Sequence, residues 1–184
     1  MIHALTNAEL KSRPDLWSAV LHLRHDIFVE EMGWEDLRRP ENIEFDQFDH
    51  DDAIHHLAYR NGELAGYQRM LPTTRPHLLT DVLQDLCEGP SPKGPNVYEL
   101  TRYAVAAKWR DGRRGVSTVG SELIAGFIEW GMSCGVNKVI IDAYNQKVSD
   151  IHIEPMPGKF KTGIRFRIDG SLQPYIEVPA HFRQ

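Results

Sequence analysis

The chain has few cysteines and no paired cysteine motif. Cys87 and Cys134 are the only two among 184 residues, and they lack the short paired spacing of a zinc or redox site. A domain of this length can bury a stable core without disulfides. We therefore expect both thiols to be reduced and packed, because cysteine is among the most buried residue types.

Long apolar runs and a strong charge of one sign are also missing. No segment reaches the ~18 consecutive apolar residues that cross a membrane, and the first residues carry no basic stretch followed by an apolar one. Lysine and arginine total 21 against 26 acidic residues, a net charge of −5, which is too small and too mixed for a nucleic-acid surface. These absences predict a cytoplasmic, compact protein that binds neither membrane nor nucleic acid.

The hydrophobic pattern predicts helices alternating with strands. The clearest local signal is Asn61-Gly62, which suits a type I′ turn between two strand-like runs. Helical spacing, with Thr6 or Asn7 as a candidate cap, and short β-branched runs mark the other elements. These are helices within 8–30, 77–87 and 117–135, a long loop or lid at 31–51, and strands at 97–105 and 138–143. Helices on a central, mostly antiparallel sheet predict an α/β or α+β sandwich.

Charged and aromatic residues recur in four segments where a hydrophobic core has no need of them. They are Arg24, Phe28 and Trp34, then Asp46 and Asp49, then Arg69, then Glu99 and Arg102. Several lie in or at the end of strand-like runs, so we expect them to project into a shared cleft. Buried charges are costly unless paired, which implies mutual pairing or a zwitterionic ligand. The alternative is a set of solvent-exposed salt bridges, each worth little.

A metal site is a second interpretation of the acidic segment, because His55 and His56 follow Asp46 and Asp49. Adjacent residues on a strand point to opposite faces, so the two histidines are not expected to share a ligand. No two-histidine spacing with a nearby carboxylate is repeated, as a metal-binding helix would require. We expect no metal.

Four stretches resemble the acyl-homoserine lactone synthase, or autoinducer synthase, family in their order and spacing. They read LRHDIFVEEMGWE, EFDQFDHDDAIHHLA, GYQRMLPTTRPHLL and YELTRYAV. The resemblance implies a three-layer sandwich related to the GCN5-type N-acetyltransferases, whose central mixed, mostly antiparallel sheet splays to admit a thioester. The characteristic family positions correspond to Arg24, Phe28, Trp34, Asp46, Asp49, Arg69, Glu99 and Arg102, with Glu44 and Phe48 beside the acidic pair.

The resemblance also implies the reaction that makes a quorum-sensing signal. An acyl group passes from an acyl carrier protein, or from coenzyme A, to the amino group of S-adenosylmethionine. The carboxylate then closes the lactone and expels methylthioadenosine. S-adenosylmethionine is a substrate in this scheme, so no cofactor is implied.

Roles for the family positions follow from that chemistry. A carboxylate base must deprotonate the ammonium, which suits Glu99 directly or through water. The implied catalytic residues are Glu99, Arg102, Asp46 and Asp49. The implied contacts of S-adenosylmethionine are Arg24, Phe28, Trp34 and Arg69, although core packing is an alternative for the two aromatic residues. Backbone N–H groups at Tyr103, Ala104 and Val105 are the candidate oxyanion site.

A basic patch follows the third strand and suits an acidic carrier protein by charge complementarity. It consists of Lys108, Arg110, Arg113 and Arg114. The same turn is similar in place to the phosphate-binding turn of coenzyme-A acetyltransferases, without the full glycine pattern of that turn. A solvated helix start is the alternative interpretation.

The last part of the chain departs from the family. SDIHIEP at 149–155 and IRFRIDGSLQ at 164–173 resemble a segment of secretion and type IV pilus assembly ATPases, and their alternation predicts a β-hairpin. No phosphate loop ending in Gly-Lys-Ser or Gly-Lys-Thr occurs in the chain, so ATPase activity is not supported. We expect a synthase-like domain at 1–146 and a tail at 147–184, packed on it or appended to it. The altered tail leaves an inactive remnant, or an N-acyltransferase for another amine, as alternatives.

Overall fold

A computed structural model gives the fold of the chain. It describes residues 2–84, 89–110 and 117–141, and the backbone of three strands beyond them. The elements in chain order are β1 (Ile2–Thr6), α1 (Asn7–Lys11), α2 (Pro14–Arg24), a π-helix (His25–Glu31), a 3-10 turn (Glu35–Leu37), β2 (Ile54–Arg60), β3 (Glu63–Pro72), α3 (Leu78–Asp81), β4 (Val97–Val105), a 3-10 turn (Ala107–Trp109), α4 (Thr118–Ser133), β5 (Lys138–Ile141), β6 (Val148–Glu154), β7 (Thr162–Ile168) and β8 (Ser171–Val178).

The main sheet has the strand order β1-β2-β3-β4-β5. Its first four strands are antiparallel, and β5 runs parallel to β4. This arrangement confirms the prediction of a mixed, mostly antiparallel sheet. The sequence analysis missed β1, a five-residue edge strand that exposes two of its residues and therefore carries little hydrophobic pattern.

Helices cover both faces of this sheet and make three layers. On one face, α1, α2 and the π-helix pack with Leu57 and Tyr67, and Val20, Leu23 and Phe28 are among the residues that fill the layer. On the other face, α4 packs on Met70, Leu100 and their neighbours. The sandwich that the family resemblance implied is therefore the observed architecture.

Local turn chemistry agrees with the sequence at two places. Asn61 and Gly62 both have positive φ, 51° and 82°, as a type I′ turn requires. Thr6 caps α1, since its hydroxyl oxygen accepts a hydrogen bond from the backbone N–H of Glu9 and the Glu9 carboxylate accepts one from the N–H of Thr6.

A β-bulge in β4 shapes the centre of the molecule. Tyr67 pairs with Ala104 and Arg69 with Thr101, so one residue of β3 faces two residues of β4. Arg102 lies in the bulge with φ of 55°. This left-handed conformation turns its side chain to the face that Thr101 also uses, where simple alternation would send it to the opposite face.

The tail contains the predicted hairpin and one further strand. β6 pairs with β7 and β7 with β8, all antiparallel, in a sheet of their own. The strand boundaries agree with the two alternating runs, whereas β8 was not predicted. The proposed boundary between 1–146 and 147–184 falls among residues outside the described ranges.

The structure describes one of the two cysteines. Cys134 is a free thiol and is exposed, so the prediction that it packs in the core is wrong: it follows the last turn of α4, beyond the buried part of the helix. Cys87 lies outside the described residues.

None of the helices in the described part of the chain is long and apolar enough to span a bilayer.

The approach of α4 to the sheet depends on Gly66. A Cβ atom there would lie 2.9 Å from Leu123 Cδ1, 2.9 Å from Val119 Cγ1 and 3.1 Å from the carbonyl oxygen of Ala104. We therefore expect Gly66→Ala to lower the free energy of unfolding by about 1–3 kcal/mol in urea denaturation, because the core has no room. Gly89→Ala is the control, since nothing lies within 4 Å of its Cβ position. Equal stability of the two variants would contradict the close approach.

Candidate active site

The predicted charged positions meet on the α2 face of the sheet. Arg24 is the last residue of α2, Arg69 lies on β3 and Arg102 in the bulge of β4. The carboxylates of Glu44, Asp46 and Asp49 come from the long loop before β2. We call these three guanidinium groups and three carboxylates the ionic cluster.

Two arginines of the cluster are fully buried. The Arg24 guanidinium donates from Nε to Glu44 Oε2 at 2.5 Å and from Nη1 to Asp49 Oδ1 at 2.8 Å. Arg69 donates from Nη1 to Asp46 and Asp49 at 2.7 and 2.6 Å, and from Nη2 to Asp46 at 2.9 Å. These bonds tie α2 and β3 to one acidic loop.

Arg102 joins the same carboxylates from the other side. Its Nη2 donates to Asp46 Oδ2 at 2.8 Å and to Glu44 Oε1 at 3.2 Å, and its Nε donates to Glu44 Oε2 at 3.2 Å. Its Nη1 has no hydrogen-bond partner among the residues that the structure describes. Arg24 Nη2 also lacks a hydrogen-bond partner among these residues, but it is fully buried, whereas the Arg102 side chain is 6% exposed. Arg102 therefore offers the more accessible unused donor group.

The acidic loop is fixed by its own backbone. Asp49 Oδ2 accepts a hydrogen bond from the Asp46 N–H at 3.0 Å, and Asp46 Oδ1 accepts one from the Phe48 N–H at 2.9 Å. Phe48 is buried against Ala53 and Leu71, so it anchors the loop. The loop can thus hold two adjacent carboxylates in place before any ligand arrives.

The electrostatics of the cluster follow from mutual neutralisation. Burial alone raises the pKa of each carboxyl group, but the neighbouring guanidinium groups outweigh it and hold the pKa of Glu44, Asp46 and Asp49 below their ordinary values. All three are ionised near neutral pH. They are consequently poor proton acceptors, whereas their charge fixes the arginines.

The predicted aromatic pair lies beside the cluster. Phe28 and Trp34 stack with ring centroids 5.2 Å apart and an interplanar angle of 24°. The Arg102 guanidinium carbon lies 5.4 Å from the Phe28 centroid and 5.5 Å from that of Trp34. Phe28 is buried in the core layer, while Trp34 is 39% exposed. Phe28 is thus a core residue, whereas Trp34 is partly exposed and its aromatic ring is accessible to a ligand.

The Glu99 carboxylate contacts the start of α3. Glu99 is two residues before Thr101 on β4, so both side chains share the face of the cluster. Its two carboxylate oxygens accept hydrogen bonds from the backbone N–H groups of Leu78 and Leu79, at 2.8 and 2.7 Å. These bonds hold the carboxylate at the start of α3, and the predicted catalytic role of Glu99 stays a prediction.

The candidate oxyanion residues lie beyond the part of β4 that pairs with β5. β5 pairs with residues 97–100 of β4, and further along β4 the Val105 carbonyl oxygen accepts a hydrogen bond from Arg110 Nε at 2.8 Å. Tyr103 is 38% exposed, and Ala104 and Val105 are buried. The oxyanion role of these residues stays a prediction.

The predicted docking patch is only partly described. Lys108 forms an ion pair with Glu63, and Arg110 donates to Glu31 at 2.6 Å. Acidic neighbours therefore offset both charges. Arg113 and Arg114 lie outside the described residues, and the carrier-protein role stays a prediction.

The two adjacent histidines face opposite sides of the sheet, as predicted. His55 packs on Trp17 of α2, and His56 packs on Trp130 of α4. In the described ranges no three His, Cys, Asp or Glu side chains come together as a metal site.

Sequence reasoning missed Thr101, a buried residue beside the cluster. Its hydroxyl oxygen accepts a hydrogen bond from Arg69 Nε at 3.1 Å. Side chains alternate along a strand, so Thr101 must share a face with Glu99. This alternation could have identified Thr101 from the sequence. With this bond every nitrogen of Arg69 is engaged.

The fold is that of the GCN5-related acyltransferases. An acyl-CoA N-acyltransferase from Pseudomonas aeruginosa has the same fold, with a TM-score of 0.54 at 19% identity over 79% of this chain and 82% of that one. Within this class, the model of the autoinducer synthase family matches residues 7–150, and the chain belongs to that family.

Two relatives show how far the similarity extends. The isovaleryl-homoserine lactone synthase of Bradyrhizobium diazoefficiens is 34% identical over 140 residues, which cover 76% of this chain and 62% of that relative. The structure of BjaI, a CoA-dependent acyl-homoserine lactone synthase, with SAM and isopentyl-CoA gives a TM-score of 0.71 at 25% identity, over 100% of this chain and 85% of that one. The chain thus spans less than two thirds of the curated relative's length.

Removing one carboxylate of the ionic cluster should lower the stability of the fold. We expect Asp49→Asn to lower the free energy of unfolding by about 3–5 kcal/mol at pH 7, because it leaves two buried guanidinium groups undercompensated. The pKa of Asp49 is depressed in the folded state, so its contribution is fully present above about pH 4 and is lost as the pH falls further.

Denaturation at a series of pH values tests this expectation. The difference between wild type and Asp49→Asn should shrink below about pH 4. Asp51→Asn, an exposed change in the same loop, should cost little at any pH. A difference that stays constant down to pH 2 would contradict the assigned ion pairs.

Proposed function

We propose that the chain is an acyl-homoserine lactone synthase that makes a quorum-sensing signal. It transfers an acyl group from a thioester to the amino group of S-adenosylmethionine and then closes the lactone, with release of methylthioadenosine. The observation that carries this proposal is the ionic cluster beside Trp34, an aromatic side chain that is 39% exposed. Family membership supports it.

Arg102 is the proposed anchor of the substrate carboxylate. Arg69 uses all its nitrogens within the protein, and Arg24 Nη2 is buried 3.9 Å from Asp46 Oδ2, without a hydrogen-bond partner among the described residues. Among the arginines of the cluster, Arg102 combines an unused Nη1 with a place next to Trp34. A carboxylate bound there would let the sulfonium lie on the aromatic face, where a cation is attracted.

Glu99 is the proposed base for the substrate ammonium. The three carboxylates of the cluster have lowered pKa values and hold guanidinium groups, so Asp46 and Asp49 are assigned to positioning instead. The Glu99 carboxylate is on the same face of β4, and it reaches the proton directly or through a water molecule. The backbone of Tyr103, Ala104 and Val105 is the proposed oxyanion site.

The acyl donor is a thioester of coenzyme A or of a carrier protein. The residues of β4 beyond its pairing with β5 are the proposed site of the pantetheine arm that both donors share. The likeness to a CoA-dependent synthase makes coenzyme A the first donor to test. We also infer a cytoplasmic location, where both substrates are made. The ATPase-like origin of the tail remains a prediction.

The proposed activity is tested with purified protein, S-adenosylmethionine and acyl thioesters of graded chain length on each donor. Mass spectrometry should detect N-acyl homoserine lactone and methylthioadenosine in equal amounts. Glu99→Gln should reduce the rate about 10²-fold, as expected for loss of a general base. Glu129→Gln, the same change on the exposed side of α4, should leave the rate unchanged. Absence of lactone with every thioester, from a folded protein, would reject the proposal.

The carboxylate anchor is tested with Arg102→Lys and with decarboxylated S-adenosylmethionine. Lysine lacks the planar fork of arginine, so the variant should bind S-adenosylmethionine about tenfold more weakly by calorimetry. It should bind the decarboxylated compound as the wild type does. Arg60→Lys, which changes a guanidinium paired with Glu122 on another surface, is the control. Equal losses for both ligands would place the carboxylate elsewhere.

A further inference from the structure

A histidine and a tyrosine form a hydrogen-bonded pair directly behind the ionic cluster. His55 on β2 and Tyr67 on β3 are both fully buried. His55 Nδ1 lies 2.7 Å from the Tyr67 hydroxyl oxygen. Neither residue belongs to the family positions described above.

Tyr67 supports Arg24 from the side that the carboxylates leave open. The Arg24 guanidinium carbon lies 5.7 Å from the centroid of the Tyr67 ring. Glu44 and Asp49 hold the same guanidinium by hydrogen bonds. The Tyr67 ring therefore packs against the Arg24 guanidinium, and a cation is attracted to the face of an aromatic ring.

His55 in turn fixes the tyrosine. Trp17 of α2 packs edge-on against His55, with ring centroids 6.1 Å apart and an interplanar angle of 81°. His55 Nε2 is buried and has no hydrogen-bond partner among the described residues. The bond to Tyr67 is thus the polar contact that sets the orientation of the imidazole ring.

His55 and Tyr67 are polar residues at core positions that apolar residues could fill. A leucine and a phenylalanine would fill this layer without the cost of burying a hydroxyl group and an imidazole. Burial, together with the charges of Arg69 and Arg24, lowers the pKa of His55 to about 3, against the opposite effect of Asp49. The pair therefore adds no charge to a cluster whose own charges balance. It restricts the tyrosine ring to one orientation instead.

We propose that His55 and Tyr67 are positioning residues that hold the Arg24 guanidinium in the orientation that the substrate site requires. The role rests on the proposed function, because the site in question is that of S-adenosylmethionine. Arg24 shares Glu44 with Arg102, so a shift of Arg24 moves the carboxylate that orients the proposed anchor. Neither residue touches the substrate in this proposal.

Tyr67→Phe tests the hydroxyl group while keeping the ring. Loss of one buried hydrogen bond should raise the dissociation constant of S-adenosylmethionine about fivefold. The KM for the acyl donor should stay at the wild-type value, which separates positioning of this substrate from general destabilisation. Tyr59→Phe is the matched control, since Tyr59 lies on the same sheet against His3.

A second measurement needs no activity. NMR detects the Arg24 Nε–H, assigned with Arg24→Lys, and its solvent exchange reports whether the bond to Glu44 is held. Exchange should become about fivefold faster in Tyr67→Phe and unchanged in Tyr59→Phe. If wild-type protein binds no S-adenosylmethionine, the proposed function fails, and this signal alone decides whether the pair positions Arg24.

Variants of His55 complete the test. The side-chain amide of asparagine can replace Nδ1 as a partner of the tyrosine, so His55→Asn should retain most of the wild-type affinity, whereas His55→Leu should match Tyr67→Phe. The double variant His55→Leu/Tyr67→Phe should be no weaker than either single variant, because both remove one interaction. Wild-type exchange and affinity in Tyr67→Phe and His55→Leu would overturn the proposal, as would equal losses in Tyr59→Phe.

Discussion

The contact between buried arginines and the acidic loop is the constraint on which the site depends. Arg24 ends a helix, Arg69 and Arg102 belong to two strands, and each needs a carboxylate because an unpaired buried guanidinium is costly. Asp46 satisfies both strand arginines at once, with contacts of 2.7 and 2.8 Å. A loop without regular structure is thus fixed to a helix and two strands. Its conformation follows from charge pairing more than from backbone propensity.

The bulge at Arg102 has a cost that the ionic cluster offsets. A non-glycine residue with φ of 55° is disfavoured, and a regular strand would turn this side chain toward α4. There the guanidinium would enter an apolar layer without partners. In the bulge it reaches Glu44 and Asp46 instead, and it comes to lie against Trp34. The backbone irregularity is therefore what brings a third arginine to the site.

Sequence patterns predicted the parts of the fold that depend on local chemistry. The hairpin at Asn61-Gly62 and strand β4 are in this group, because turn residues and alternation act over a few positions. The edge strand β1 was not predicted, since its pattern is short and half exposed. The motifs also identified the members of the ionic cluster, but not their partners. Pairing across 20 to 58 residues of sequence is set by the tertiary fold, which also brings the Glu99 carboxylate to the backbone N–H groups of Leu78 and Leu79.

The charge balance of the cluster bears on where each of the two proposed substrates binds. Because its guanidinium and carboxylate groups neutralise one another, a ligand need not break an ion pair to enter, and recognition falls to groups at its edge. Those groups, Arg102 and Trp34, lie within residues 2–110. In the proposed reaction the acyl group instead meets the residues of β4 beyond Leu100, where pairing with β5 ends. Binding of S-adenosylmethionine and binding of the acyl group therefore depend on different parts of the site.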